Sequence, residues 1–184
     1  MKTFTKIRIG VITLMIAVII AGIGISSAHS ATEANKAWWR NLSQGARNQA
    51  IVDRAAQDIG KYVGLNCKKW VQQVVPAASR GVVNIPLTLP EADGWYWDYS
   101  PYVVGMSGGI RAVQPGWIIQ MNWLLSKGWT PHTAIVVGKT STGVYLVESN
   151  WCDPPCYKVG LRWVSFTDFD AKAFRYTVYY ITGG

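Results

Sequence analysis

The order of hydrophobic patterns along this 184-residue chain predicts an α+β domain, with helices first and a small antiparallel sheet after them. Between Ala46 and Val63, the apolar residues Val52, Ala55, Ala56, Ile59 and Val63 recur at helical spacing. Beyond Pro115 the pattern changes: Trp117–Met121, Thr133–Gly138 and Gly143–Trp151 are short β-branched or aromatic runs bounded by turn residues.

The elements follow in order. Residues 1–30 read as an export signal: Lys2, Lys6 and Arg8 form a positive start, Ile9 to Ile25 is apolar, and Ala28-His29-Ser30 offers the small residues a signal peptidase needs. A retained anchor is the competing reading, but the apolar stretch falls short of the roughly 20 residues that span a bilayer. Residues 31–184 are then one domain, secreted or held in a bacterial-type periplasm or cell envelope, and its contact with the membrane is transient, through the signal only. Residues 31–45 are polar apart from Trp38-Trp39 and are expected to lie over the surface. The first helix runs over 46–63. Gly64-Leu65-Asn66 breaks it, and a second helix starts at Cys67, capped by Asn66, and is stopped near Val75 by Pro76. Residues 77–109 read as irregular. The polar connection Lys139–Thr142 makes a hairpin of its two flanking runs. Thr167 caps a helical turn to Lys172, and Phe174–Ile181 closes as a strand.

The net charge is +8, with three of those charges in the export segment. A modestly basic exported protein suits an anionic surface such as a cell wall or phospholipid headgroups. The basic residues form no run, which argues against a nucleic-acid partner.

The three cysteines leave one unmatched. Cys152 and Cys156 flank Asp153-Pro154-Pro155 closely enough to be bridged in an oxidising compartment. Cys67 remains over, either a small buried apolar residue or a reactive thiol. Its place in the first turn of a helix, with Lys68 and Lys69 beside it, favours the thiolate. Apart from His29 in the export segment, the imidazole available to it is that of His132. If Gly138 opposes Gly143 in the hairpin, His132 opposes Ser149, and a one-residue shift sets it on the side of Glu148 and Asn150, which share a face. A thiol, an imidazole and a polar group on the second ring nitrogen are the requirements of acyl transfer through a thiol.

The segments Asn66-Cys67-Lys68-Lys69-Trp70-Val71, Pro115-Gly116-Trp117-Ile118-Ile119-Gln120, Pro131-His132-Thr133-Ala134-Ile135-Val136 and Glu148-Ser149-Asn150-Trp151 together resemble the CHAP amidases and peptidases, over roughly Gly60 to Ile181. The resemblance implies a papain-like fold and cleavage of an amide in peptidoglycan, at the muramoyl–alanine bond or within the stem peptide or crossbridge. Carried over, Cys67 is the nucleophile, His132 the base, and Glu148 and Asn150 its orienting groups. The chain departs from the family's common pattern at Gly116-Trp117, where Gly-Asp is usual, and at Leu65-Asn66-Cys67, where Gly-x-Cys is usual. Some relatives hold calcium before the cysteine. The acidic residues there, Glu33, Asp53 and Asp58, are too scattered for an oxygen cage, so neither a metal nor a cofactor is expected. The related NlpC enzymes usually add a second histidine, which this chain lacks after processing, and a transglutaminase-like site would need Asp153, which lies too far along the turn.

Gly94–Tyr102 packs five aromatics, which either cover the core of a small domain or stack on substrate, and Trp95 or Trp97, rather than both, is expected to line the cleft. Two alternatives share these residues: a cell-wall or glycan-binding module, supported by the ten tryptophans and the basic charge, and an interbacterial amidase toxin with an inhibitor or immunity partner.

Overall fold

A computed structural model describes residues 31–84, 101–106, 108–126, 128–152 and 156–184. The expected export segment, and Trp95 and Trp97, one of which is expected at the cleft, lie outside these residues.

The polar composition of 31–45 conceals a helix. The Thr32 hydroxyl accepts the Asn35 N–H at 3.2 Å, and Glu33 sits at the positive end of the helix that follows, α1 (Glu33–Asn41). The expectation of a surface segment is corrected here: Trp39 is fully buried, and its indole N–H donates to the Thr182 carbonyl at 2.8 Å. Ser43 caps α2 (Gln44–Ala56), which ends about two turns before the expected Val63. Backbone pairing explains the early stop. The Gly60 and Val63 N–H groups donate to the carbonyls of Val159 and Tyr157 at 2.8 and 2.9 Å, which pairs this stretch with distant backbone instead of continuing the helix. Asn66 caps α3 (Cys67–Ala78) through Oδ1, which accepts the Lys69 N–H at 2.9 Å. Pro76 does not stop this helix. A proline removes one N–H and crowds the preceding turn, yet here two further residues follow before Ser79 closes the end.

Six strands form one antiparallel sheet in the order β1 (Val103–Met106), β6 (Ala173–Ile181), β2 (Ile118–Leu125), β3 (Gly128–Lys139), β4 (Gly143–Ser149) and β5 (Val159–Ser165). The α+β class is as expected, but the sheet is larger than the patterns suggested. β1 and β5 were not anticipated, and β2 and β3 reach each other as a long hairpin. A fourth helix, α4 (Phe166–Lys172), starts one residue before the expected turn, because the Ser165 hydroxyl rather than Thr167 accepts the Asp168 N–H at 2.9 Å.

The sheet is covered on both faces. On one side α1, α2 and α3 bury Trp39, Ile51, Trp70, Val71 and Val74 against Ile118, Ile135 and Val147. On the other, α4 and a short 3-10 turn bury Phe166, Phe169 and Ile110 against Ile119, Val136 and Leu146. Gly116 lets β2 start hard against α2: its φ is +86°, and a Cβ there would lie 2.5 Å from the Asn48 carbonyl oxygen.

Trp39 gives a direct check on the corrected N-terminal reading. Trp39→Ala should cost about 3–5 kcal/mol of unfolding free energy, measured by urea denaturation. A loss within about 0.5 kcal/mol, typical of surface substitutions, would restore the surface-segment reading.

Candidate active site

Three elements converge on one end of the sheet. Helix α3 presents Cys67 in its first turn, β3 presents His132, and β4 presents Glu148. Antiparallel pairing alone would not align them. Near the turn Gly138 faces Tyr145, a register that, carried along the strand, sets His132 across from Trp151 and on the Ser149 face. A bulge between Val136 and Gly138 shifts the pairing by one, so that Ile135 faces Val147. Carried on, the corrected register brings His132 onto the Glu148 face.

The side chains complete the arrangement. His132 Nε2 lies 3.0 Å from Glu148 Oε2, and both residues are buried. The Cys67 thiol hydrogen-bonds to the same imidazole. With Nε2 on Glu148, Nδ1 is the nitrogen left for the sulfur. Backbone groups of Lys68 and Thr133 also hydrogen-bond to the sulfur. Burial pushes the Cys67 thiol up, but the His132 charge and hydrogen bond, together with those backbone groups, pull it below the usual thiol range. Burial pushes His132 down, and the Cys67 sulfur and Glu148 carboxylate outweigh it, raising the imidazole to about 9. Burial likewise raises Glu148, and His132 and Arg162 outweigh it and hold the carboxylate below its ordinary value. These shifts all run in the direction that favours a thiolate–imidazolium pair backed by a carboxylate. Cys67 remains partly exposed.

Of the four residues expected to act together, Asn150 stands apart. It ends β4 with φ +62°, and its Oδ1 accepts the N–H groups of Cys156 and Tyr157 at 3.0 and 3.1 Å. Its side-chain oxygen holds the Cys152–Cys156 loop, which the disulfide closes with a Cα–Cα distance of 5.9 Å. The partner on the second ring nitrogen is Glu148.

Sequence reasoning missed four residues. Arg162 on β5 grips Glu148 with Nε on Oε1 at 2.5 Å and an Nη on Oε2 at 3.1 Å. Its guanidinium lies 3.9 Å from the Trp151 ring centre and 4.9 Å from that of Trp123. The Trp151 ring in turn packs on His132, with centroids 4.5 Å apart. On the opposite face of β4, the Ser149 hydroxyl donates to the Leu65 carbonyl at 2.7 Å, which anchors the stretch leading into Cys67. The alternation of Leu161, Arg162 and Trp163 beyond the Cys152–Cys156 loop is the signal that marks β5. That Arg162 reaches Glu148 is a tertiary fact. Among the described residues, no three His, Cys, Asp or Glu side chains gather as a metal site, and no helix is long and apolar enough to cross a membrane.

No protein-family model and no curated protein matches the sequence. Two solved structures share the fold, those of a protein called Ly7917, one of them with the hydrolyzing product of MDP. Their TM-scores are 0.52 and 0.51 at 12% and 13% identity, over 74% of this chain and 63% of theirs. The chain thus spans just under two thirds of the neighbour's length, and at that identity the likeness is one of fold.

The pair has a signature in pH. The thiolate forms as pH rises through the lowered Cys67 value, and the imidazolium is lost above about 9. Iodoacetamide should therefore alkylate Cys67 rapidly well below the usual thiol pKa of about 8.5. Reaction appearing only near that value would mean that thiol and imidazole are both neutral.

Proposed function

We propose that this chain is an exported cysteine hydrolase that cuts an amide bond in peptidoglycan, a CHAP-like amidase or peptidase of papain-like build. The observation that carries the reading is the unbroken chain Cys67–His132–Glu148 at the start of α3, with a low thiol and a high imidazole. The resemblance of the four motif segments supports it, and so does the shared fold with Ly7917, a protein crystallised with the hydrolyzing product of the peptidoglycan fragment MDP.

The chemistry follows from the pair. The Cys67 thiolate attacks the amide carbonyl carbon, and the electron pair moves onto oxygen. The positive end of α3 favours such a charge. As the tetrahedral centre collapses, the C–N bond breaks and the imidazolium of His132 gives its proton to the leaving amine. The acyl group remains as a thioester on Cys67. Neutral His132 then takes a proton from water, the hydroxide adds to the thioester, and the carboxylate product leaves with the thiolate restored. Glu148 holds the ring in one tautomer throughout and offsets the charge that His132 carries. Asn150 contributes by closing the loop behind Trp151. The export segment and the single domain over 31–184 belong to the same reading, and so does location in the cell envelope.

The decisive comparison is between wild type and Cys67→Ser on purified sacculi, with released fragments read by mass spectrometry. A serine hydroxyl is not ionised by the same surroundings, so binding to the wall should survive while fragment release stops. Glu148→Gln should also lower turnover, by up to about 10⁴-fold if it compares with loss of the orienting group in a serine triad, whereas Asn150→Ala should act mainly on stability. A wild type that binds several wall chemotypes tightly and releases nothing would make the protein a wall-binding module instead.

A further inference from the structure

Arg162 is hard to account for as a device of folding. It lies on the face of β5 that it shares with Val164, in a layer of apolar residues, and its side chain is about one fifth exposed, whereas Glu148 is 1% exposed. A buried ion pair returns little net stability, because desolvation consumes most of the Coulomb attraction, and an apolar side chain of similar volume often does as well. A methionine here would fill the slot between Trp123 and Trp151 without that cost. What an apolar residue would not supply is a fixed positive fork on both oxygens of the carboxylate that holds the imidazole.

We propose that Arg162 is a positioning residue of the Cys67–His132–Glu148 group: its fork holds Glu148 as a carboxylate in one orientation and balances its charge, so that the proton His132 takes up is held firmly enough to stay and loosely enough to leave. The inference deepens the hydrolase reading above and rests on it for its meaning in catalysis. With Arg162 in place, Glu148 and the guanidinium form a neutral unit, and the imidazole meets an oriented dipole. Without it, a bare buried carboxylate would face the ring and bind the imidazolium more tightly, so the leaving amine would gain its proton later. Trp151 and Trp123 strengthen the effect by keeping water from the guanidinium face and the imidazole.

The other charged groups around this site are few. Cys67 faces His132 from α3, with Lys68 and Lys69 in the same first turn. Lys158 lines the cavity of about 320 Å³ beside Glu148 and Arg162. Asp168 and Lys172 on α4 border the other side of Arg162 and pair with each other at 3.3 Å. Of these, Asp168 also feels Arg162, but Ser165 and Lys172 act on it more strongly, so a shift at His132 reports chiefly the guanidinium.

The test follows the His132 ring by NMR through a pH titration of the full chain in three forms: wild type, Arg162→Gln, which keeps donors without charge, and Arg162→Lys, which keeps charge without the fork. Circular dichroism verifies folding. In Arg162→Gln, His132 should hold its proton to about one pH unit higher than in wild type, and fragment release from sacculi should fall roughly 10–100-fold. Arg162→Lys should titrate as wild type does while still losing turnover. A folded Arg162→Gln with an unshifted His132 overturns the proposal, and so does loss of folding in both variants, which would make the fork structural. The titration needs no substrate. If the wild type releases nothing from sacculi, the peptidoglycan reading fails while the titration still decides the role of Arg162.

Discussion

A carboxylate that is 1% exposed can stay charged only if the structure supplies its counter-charge from fixed positions. Glu148 imposes that condition here, and much of one end of the molecule meets it. His132 approaches one oxygen, Arg162 forks onto both, and two indoles pack over the guanidinium. The demand extends into the fold through β4. Alternation along the strand places Glu148 on one face and its neighbour Ser149 on the other, where the Ser149 hydroxyl holds Leu65 just before α3. Two adjacent residues of one strand thus register His132 and the start of α3 against each other, although Cys67 and His132 come from elements far apart in sequence.

The bulge between Val136 and Gly138 belongs to the same logic. Side chains alternate with a period of two, so an error of one residue in register exchanges the faces of everything beyond it. The pairing set by the turn would direct His132 to the side of Ser149, and one extra residue returns it to Glu148. A second irregularity, between Met121 and Asn122, adjusts β2 against β6, where Arg175 takes φ +49°. Local departures from the ladder therefore direct side chains that uniform pairing would misplace.

Much of this was legible in the residues. Asn66 before Cys67 announced a cap and placed the thiol in a first helical turn, because capping is a local matter of one side chain and one N–H. The spacing of Cys152 and Cys156 announced their bridge. The hairpin of β3 and β4 was legible as well, and a shift of one residue was enough to bring His132 to Glu148. What stayed hidden depends on contacts across the fold. Nothing local marks Arg162 as the partner of Glu148, since the two meet only when β4 pairs with β5. Trp39 hid in a segment whose mean composition is polar, because a short helix needs only one buried anchor. Pro76 looked like a stop because its effect inside a helix is usually disruptive, yet the packing of Val71, Val74 and Val75 carries α3 one residue pair further.

Glu148 and Asn150 show where pattern reasoning ends and backbone geometry takes over. Two apart on a strand, they share a face, and either side chain has an oxygen suited to an imidazole N–H. The chain turns at the second of them. At φ +62° Asn150 occupies the left-handed region, which asparagine tolerates because its short amide bonds back to nearby backbone. That turn carries its Oδ1 away from His132 and onto the N–H groups of Cys156 and Tyr157. Once the strand ends there, the loop it starts brings Trp151 over the imidazole and the guanidinium together. The residue that resembles a second orienting group serves the site through the backbone instead, and the charge that faces His132 comes from Glu148.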